Sequence, residues 1–507
     1  MVSLIAGDLL RIRRVEEEVQ SAAQSRLENI DRLVRAFVSQ PVTPQATLDF
    51  ENGLQDELRE IGRLTVEIAY NSLEPNVDVI APDSPEMPKQ VEFDGQQYSR
   101  KNAKTNNRGG VGTLFGTIRL TRFSYEPLSE ARDDGRTSFA PLELCLGIVE
   151  GNATPALAER VGREAAGRTQ QEVLQLLQRE HRVPWSTVVL RKVIAAASQG
   201  MAAHLHEAQK QQLLDWLRTA DGSKGRRKIT LAVGRDGIML PIRGEKTYKE
   251  GAVATLTLYD RRGRRLGTVY LGEMPEAYQT TLSAALTKLI TEVLGEWSGP
   301  APRLVYITDA GFHQTGYFEE VLTQMDDPHQ AGRKLQWTRI VDFYHASEYL
   351  AKLAGVLFDD PRAGHAWQKR MRHWLKHEPN AVFRILHSAA KYRSERSLTP
   401  KQQEEYRQAY QYLLNYKPYM DYAFYRRMGL PIGSGVTEAA CKTVFTQRFK
   451  QSGMTWAIEG GGMILTLRLA TLSQVWEQVF RTYLANQPLP KVATKPTHSG
   501  INYAKAA

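Results

Sequence analysis

Three acidic residues carry the chemistry this chain is best equipped to perform. Asp236 closes Ile229-Thr-Leu-Ala-Val-Gly-Arg-Asp, and Asp309 closes Leu304-Val-Tyr-Ile-Thr-Asp; both follow runs with strand character. Glu438 lies in Pro431-Ile-Gly-Ser-Gly-Val-Thr-Glu-Ala-Ala-Cys-Lys442, at the start of a predicted helix. At 100° per residue, Cys441, Phe445 and Phe449 project within about 60° of it, which predicts a carboxylate sharing a core-facing stripe. Such a carboxylate is costly unless something compensates it. Three carboxylates brought together would form a site for Mg²⁺ or Mn²⁺, which take oxygen ligands. Two such ions about 4 Å apart serve phosphodiester displacement.

Each acid also has an ordinary reading. Asp-Gly at 236–237 is a leading hairpin-turn dipeptide, Asp309 could cap a helix, and Glu438 could pair with Lys442 at i,i+4. A competitor for the second metal position is Asp342 in Asp342-Phe-Tyr-His345, which also ends a strand-like run. His345 could hydrogen-bond Asp342 and hold the strand–helix corner, so this pair reads as supporting the site or as an alternative to Asp309.

These residues need a scaffold, and the chain is long enough to build one. Its 507 residues allow two to four domains. No apolar run reaches the roughly 18 residues of a membrane span, and the opening Met1-Val-Ser-Leu-Ile-Ala-Gly-Asp-Leu-Leu is too short for a signal peptide. The two cysteines, Cys145 and Cys441, offer neither a disulfide framework nor a structural zinc site. A cytoplasmic, nucleoid-associated protein with no membrane partner is the expectation.

The net charge of +10 is unevenly spread. Residues 361–430 hold 14 Lys/Arg against 5 Asp/Glu, and residues 431–507 hold 8 against 3, so the C-terminal part is strongly basic. Concentrated positive charge suits a polyanion such as DNA.

Along the chain, seven regions are predicted. Residues 1–72 form a helical region, a candidate for oligomerisation, the expected partner being a second copy in a dimer. Residues 73–150 are β-rich, with a strand over Gly112–Tyr125. Residues 151–222 hold helices Pro155–Arg179 and Ser186–Ala197, a helix-turn-helix arrangement whose Thr187, Arg191 and Lys192 could read DNA. Residues 223–350 begin an α/β core with strands at Lys228–Gly234, Gly237–Arg243, Ala252–Tyr259, Leu266–Leu271, Arg303–Thr308 and Thr338–Val341. A basic helical insertion follows at 351–429, the core resumes at 430–487, and 488–507 reads as a tail. Lys442, Arg448 and Lys450 are placed to hold phosphates.

At these residues the chain resembles a DDE-type transposase of bacterial insertion sequences, most closely the Kra-type group. The resemblance covers roughly 90–480 and is carried by Arg339-Ile-Val-Asp-Phe-Tyr-His-Ala-Ser-Glu-Tyr-Leu350, by Leu430–Lys442, and by Phe449-Lys-Gln-Ser-Gly-Met-Thr-Trp456. It implies an RNase H-like core, a mixed sheet flanked by helices within an α/β (α+β overall) chain. Asp236, Asp309 and Glu438 are implied as catalytic acids and metal ligands, with Ala310 where relatives carry Gly. The implied activity is metal-dependent cleavage and strand transfer of DNA, with terminal inverted repeats and target DNA as partners. Relatives often follow Arg-Phe-x-Tyr with a cysteine-rich zinc ribbon; here Arg122-Phe-Ser-Tyr125 is followed by no cysteines, so no zinc is expected. Rival readings are a catalytically inactive, domesticated DNA-binding regulator, another RNase H-like nuclease, and a carboxylate-pair glycosidase, which the basic surface disfavours.

Overall fold

The structure, a computed structural model, describes residues 9–75, 87–128, 138–489 and 491–492. The opening residues before Leu9, the segment 129–137 after the Arg-Phe-Ser-Tyr strand and the end of the tail lie outside them. The chain divides into two compact units, residues 1–200 with 480–507, and residues 201–479. Among the described residues no helix is long and apolar enough to cross a membrane.

The first unit opens with helices Leu9–Val38 and Pro44–Asn71, joined by a turn that Thr43 caps. Phe37 stacks on Phe50 with centroids 4.6 Å apart. The predicted strand over Gly112–Tyr125 is a set of short pieces, because Gly116 (φ 132°) turns the chain back on itself. Part of the predicted tail is a strand as well: Lys491–Val492 pairs with Val91 and Glu92 in a four-stranded sheet. The predicted helix Pro155–Arg179 is two helices, Pro155–Gly167 and Gln170–His181. Thr169 and Glu172 form a capping box that starts the second, so the break lies where two backbone donors find side-chain acceptors. Helix Thr187–Asp221 follows, with Ser186 Oγ accepting from the Val189 N–H at its start.

The second unit is an α/β layer structure around a mixed sheet. Its strands are β1 (Thr230–Leu240), β2 (Lys249–Tyr259), β3 (Arg265–Glu273), β4 (Arg303–Thr308) and β5 (Trp337–Val341), in the order β3-β2-β1-β4-β5. The first three are antiparallel neighbours, whereas β4 runs parallel to both β1 and β5. Alternation along β4 buries both faces: Leu304 and Tyr306 join one core, Val305 and Ile307 the other. Helix α1 (Thr280–Glu296) covers the first face through Leu282, Leu286 and Ile290. Helix α2 (Phe343–Leu357) covers the second with the insertion helices α3 (Pro361–His377), α4 (Ala381–Ser394) and α5 (Pro400–Tyr416).

One sequence expectation changes here. Asp236-Gly237 is no turn: β1 is continuous, and Asp236 pairs with Val253 and Gly237 with Ala252. Eleven residues of ladder with β2 outweigh the local turn preference of the dipeptide. The chain turns instead at 241–248.

Helix α6 (Gly435–Ala440), which carries Glu438, lies against β1 at Gly234. Thr437 Oγ1 lies over this glycine and hydrogen-bonds Thr255 Oγ1 on β2 at 2.8 Å; a Cβ at 234 would overlap it. Gly234 therefore sets how closely the helix approaches the sheet. Gly234→Ala is expected to cost about 1–3 kcal/mol by forcing the helix outward. The cost should shrink in a Thr437→Ala background, a coupling measurable by urea unfolding of all four proteins. Strict additivity of the two substitutions would rule out the contact.

Candidate active site

Strand register places the acids. The last β1–β4 partners are Val233 and Tyr306, and Asp236 and Asp309 each lie three residues further on (236 − 233 = 309 − 306). The last β4–β5 partners are Thr308 and Val341, and Asp309 and Asp342 each follow by one. The three aspartates thus stand at one level: Asp309 and Asp342 follow the carboxyl ends of β4 and β5, and Asp236 lies within β1, beyond its last pairing with β4. Level alone does not choose between Asp309 and Asp342. Position does: Asp309 is one strand from Asp236, Asp342 is two, and neighbouring strands are about 4.8 Å apart.

The side chain of Asp342 holds two main-chain groups. It is fully buried and caps α2, its Oδ1 accepting from the His345 N–H at 2.7 Å. Its Oδ2 accepts from the Ser434 N–H. His345 thus supports the strand–helix corner through its main chain; its imidazole lies 3.5 Å from Glu348 and packs against Tyr349 and Tyr412. Ser434 in turn donates from Oγ to Glu438 Oε1 at 2.8 Å, so Asp342 holds the loop that orients Glu438.

Glu438 is exposed, and the inward position is its neighbour Thr437. Of the predicted stripe, Cys441, Phe445 and Phe449 are buried, while Thr437 takes the inward place expected of Glu438. A π-helical turn at Cys441–Thr446 shifts the phase that a uniform 100° step assumes. Among the described residues Glu438 and Lys442 form no ion pair, and Lys442 is exposed. Arg448, expected to hold phosphate, is only 2% exposed, with its guanidinium 4.9 Å from the Trp456 ring; seven residues on from Cys441, it falls on the same buried side of the helix. Lys450 is exposed, its Nζ 5.9 Å from the Tyr248 ring. Thr187, Arg191 and Lys192 are exposed near the start of their helix, and Arg191 Nε donates to Gln170 Oε1 at 3.1 Å.

Asp236 is the most perturbed member. Burial pushes its pKa up to about 6, and the charges of Asp309 and Glu438 add to the rise. The Gly237 N–H donates to Oδ1 at 2.8 Å and the Cys441 thiol to Oδ2 at 3.2 Å, both opposing it. Cys441 was missed as a site residue, although its i+3 spacing from Glu438 puts the two on one side of a helix. Burial and the carboxylate beside it push its own pKa up, so it sits there as a neutral donor.

The main chain at Asp309 is pinned from the insertion. Tyr412 Oη donates to the Asp309 carbonyl at 2.9 Å and Tyr416 Oη to the Ala310 carbonyl at 3.1 Å. Tyr422 Oη does the same for Val341 at the end of β5, at 2.8 Å. Ala310 has φ 68°, a conformation that costs a non-glycine residue roughly 1 kcal/mol. Asp309 Oδ1 accepts from the Gly311 N–H at 3.0 Å and closes the turn.

The donor chemistry of Asp236, Asp309 and Glu438, hard carboxylate oxygens, fits Mg²⁺ or Mn²⁺. Among the described residues no three His, Cys, Asp or Glu side chains converge as a finished ligand cage. Asp309 and Glu438 are close enough to raise the pKa of Asp236, and Glu438 is held by Ser434. No family model matches the chain, and no curated protein is similar to it.

Two predictions follow from this geometry. Because the folded-state pKa of Asp236 lies near 6, above its ordinary 3.8, folding favours its protonated form; that stabilisation is present below pH 4 and lost as pH rises to 6. Asp236→Asn should therefore raise stability at pH 7 by about 1–2 kcal/mol. Thermal midpoints that keep the wild-type pH dependence between 4 and 6 would refute it. Asp342→Asn leaves a single accepting oxygen for two N–H donors, and should cost about 1–3 kcal/mol in urea unfolding. No loss would show that the buried carboxylate does not hold the corner.

Proposed function

We propose that this chain is a DDE-type transposase with an RNase H-like core, cutting DNA at the ends of its element and joining them to target DNA. The observation that carries the reading is the placement of Asp236 and Asp309 at one level on neighbouring parallel strands, with Glu438 on a helix packed beside them. The sheet order β3-β2-β1-β4-β5, with three antiparallel strands followed by two parallel ones, supports the same reading.

Asp236, Asp309 and Glu438 would hold two Mg²⁺ or Mn²⁺ ions, whose chemistry is to polarise the phosphoryl oxygens and neutralise developing charge. The chain's own groups set the stage for that. Cys441 and the Gly237 N–H fix the Asp236 carboxylate, Tyr412 and the Gly311 N–H fix Asp309, and Ser434 keeps Glu438 aimed. Water would displace the 3′-oxygen at the element end in line, and the freed 3′-hydroxyl would then attack a target phosphodiester, breaking its bond to the target's 3′-oxygen, which leaves as a hydroxyl. Lys442 and Lys450, together with the basic insertion, supply phosphate contacts, so binding should weaken steeply with salt. Thr187, Arg191 and Lys192 are the residues proposed to read end sequence.

Glu438→Gln tests this directly. Removal of one carboxylate should lower strand cleavage and joining about a thousandfold or more. Binding of end-containing DNA should persist, as measured by gel shift alongside a nicking assay with added Mg²⁺ or Mn²⁺. Wild-type cleavage rates in this variant would sink the assignment.

A further inference from the structure

Helix α3 carries charge of one sign on one side. Its sequence, Pro361-Arg-Ala-Gly-His-Ala-Trp-Gln-Lys-Arg-Met-Arg-His-Trp-Leu-Lys-His377, holds five Lys/Arg and three His and no acid. At 100° per residue, Arg362, Lys369, Arg372 and Lys376 fall within about 80° of one another. Gly364, Trp367, Met371 and Leu375 are buried, on the other side of the helix. Arg362, Lys369 and Arg372 are exposed, and Lys376 is half-buried.

A charged helix face is ordinarily a solvated one with both signs interspersed. This face has nothing to neutralise it. The acids around it are engaged elsewhere: Asp359 pairs with Arg396, Asp360 Oδ1 accepts from the Arg362 N–H at 3.0 Å, and Glu378 lies 3.7 Å from Arg384. Among the described residues none of the four cations belongs to an ion pair. The neighbouring α5 is the contrast, since there Arg407 pairs with Glu404 at 2.7 Å and Lys401 with Glu405 at 4.0 Å. Like charges at i,i+4, such as Arg372 and Lys376, weaken a helix. At the last turn Arg426, from the short helix Tyr422–Arg427, donates to His377 Nδ1 at 2.7 Å, a bond that only a neutral imidazole accepts. A bound polyanion would relieve all of these contacts.

One end of the face stands at the corner that orients Glu438. The Arg372 guanidinium lies 5.4 Å from the Phe343 ring and 5.8 Å from the Tyr344 ring, and Lys376 Nζ lies 5.5 Å from Phe343. Phe343 and Tyr344 open α2, directly after Asp342. The Phe343 N–H donates to the Ile432 carbonyl at 2.9 Å. The Tyr344 ring packs on Gly433 so closely that a Cβ there would come within 3.0 Å of it. Ser434, the next residue, holds Glu438. From this corner the face runs back fourteen residues to Arg362, a length of about 21 Å. That matches about six base pairs of DNA.

We infer that the outward face of α3, with Arg362, Lys369, Arg372 and Lys376, is the track along which the DNA backbone runs away from the cut. This rests on the transposase reading and narrows it: α3, and not the equally cation-bearing α5, faces the phosphates.

The test follows binding of the full-length protein to a labelled duplex of about 30 base pairs by fluorescence anisotropy, between about 50 and 200 mM salt. Three variants each lose two positive charges: Arg372→Ala/Lys376→Ala, Arg362→Ala/Lys369→Ala and, on α5, Lys401→Ala/Arg407→Ala. Each α3 pair should lower affinity at least about tenfold at the lowest salt and reduce the slope of log affinity against log salt by about two. The α5 pair should stay within about twofold of the wild type. Arg372→Lys/Lys376→Arg should bind as the wild type does, because it keeps both charges. Thermal midpoints of the α3 variants should not fall, since the substitutions remove like-charge contacts. Equal losses in all three alanine variants, loss in one α3 pair only, or no loss overturn the track. Nicking of end-containing DNA by the wild type would leave the transposase reading standing through any of these results. Failure of the wild type to bind the duplex overturns both.

Discussion

The carboxylate of Asp342 is the joint on which the second unit's functional end depends. A buried charge is tolerated only with its hydrogen bonds made, and both Asp342 oxygens are occupied by main-chain N–H groups. One belongs to the first turn of α2, the other to the loop leading to Glu438. A residue that sequence pattern offers as a possible metal ligand thereby also shapes the corner. It ties the end of β5, the start of α2 and the approach to α6 into one corner, and Ser434 passes that order on to Glu438.

The insertion between the second and third acids has a comparable part. Its basic charge was plain from composition, and charge suggests a surface for phosphate. Its tyrosines do something else: Tyr412, Tyr416 and Tyr422 donate to carbonyls at the ends of β4 and β5, where the ladder has run out of partners. A parallel strand end needs such donors if the residue after it is to be held in place. The insertion and the sheet are therefore one structure, though the chain separates them by many residues.

What could be read in the sequence follows physical lines. Strand Arg303–Thr308 was legible to the residue, since an apolar run with a proline before it and Asp-Ala-Gly after it admits little else. Helix Thr280–Glu296 was legible from its leucine stripe, apart from the strained turn before it. The continuity of β1 through Asp236-Gly237 was not, because the local dipeptide favours a turn and only the distant pairing with β2 decides otherwise. The level alignment of Asp236, Asp309 and Asp342 was also beyond reach, since register is a property of pairing. Glu438 was recognisable as a site candidate, but for the wrong reason: it is exposed, and Thr437 has the buried place. The break at Thr169 was visible in principle, since Thr-x-x-Glu is a capping signal, but a helical pattern on both sides hid it.

The π-helical turn at Cys441–Thr446 bears on how this chain is to be compared with others. A π-turn holds one residue more than the α-turn it replaces. A relative with an unbroken α-helix here would therefore be one residue shorter between its glutamate and the segment that packs as Arg448 and Phe449 do. Aligned without a gap, every position after 446 would be matched to a neighbour on the wrong side of the helix, and buried residues would be paired with exposed ones. A single-residue gap behind Glu438 restores the correspondence, so the length of this short stretch is itself a structural character.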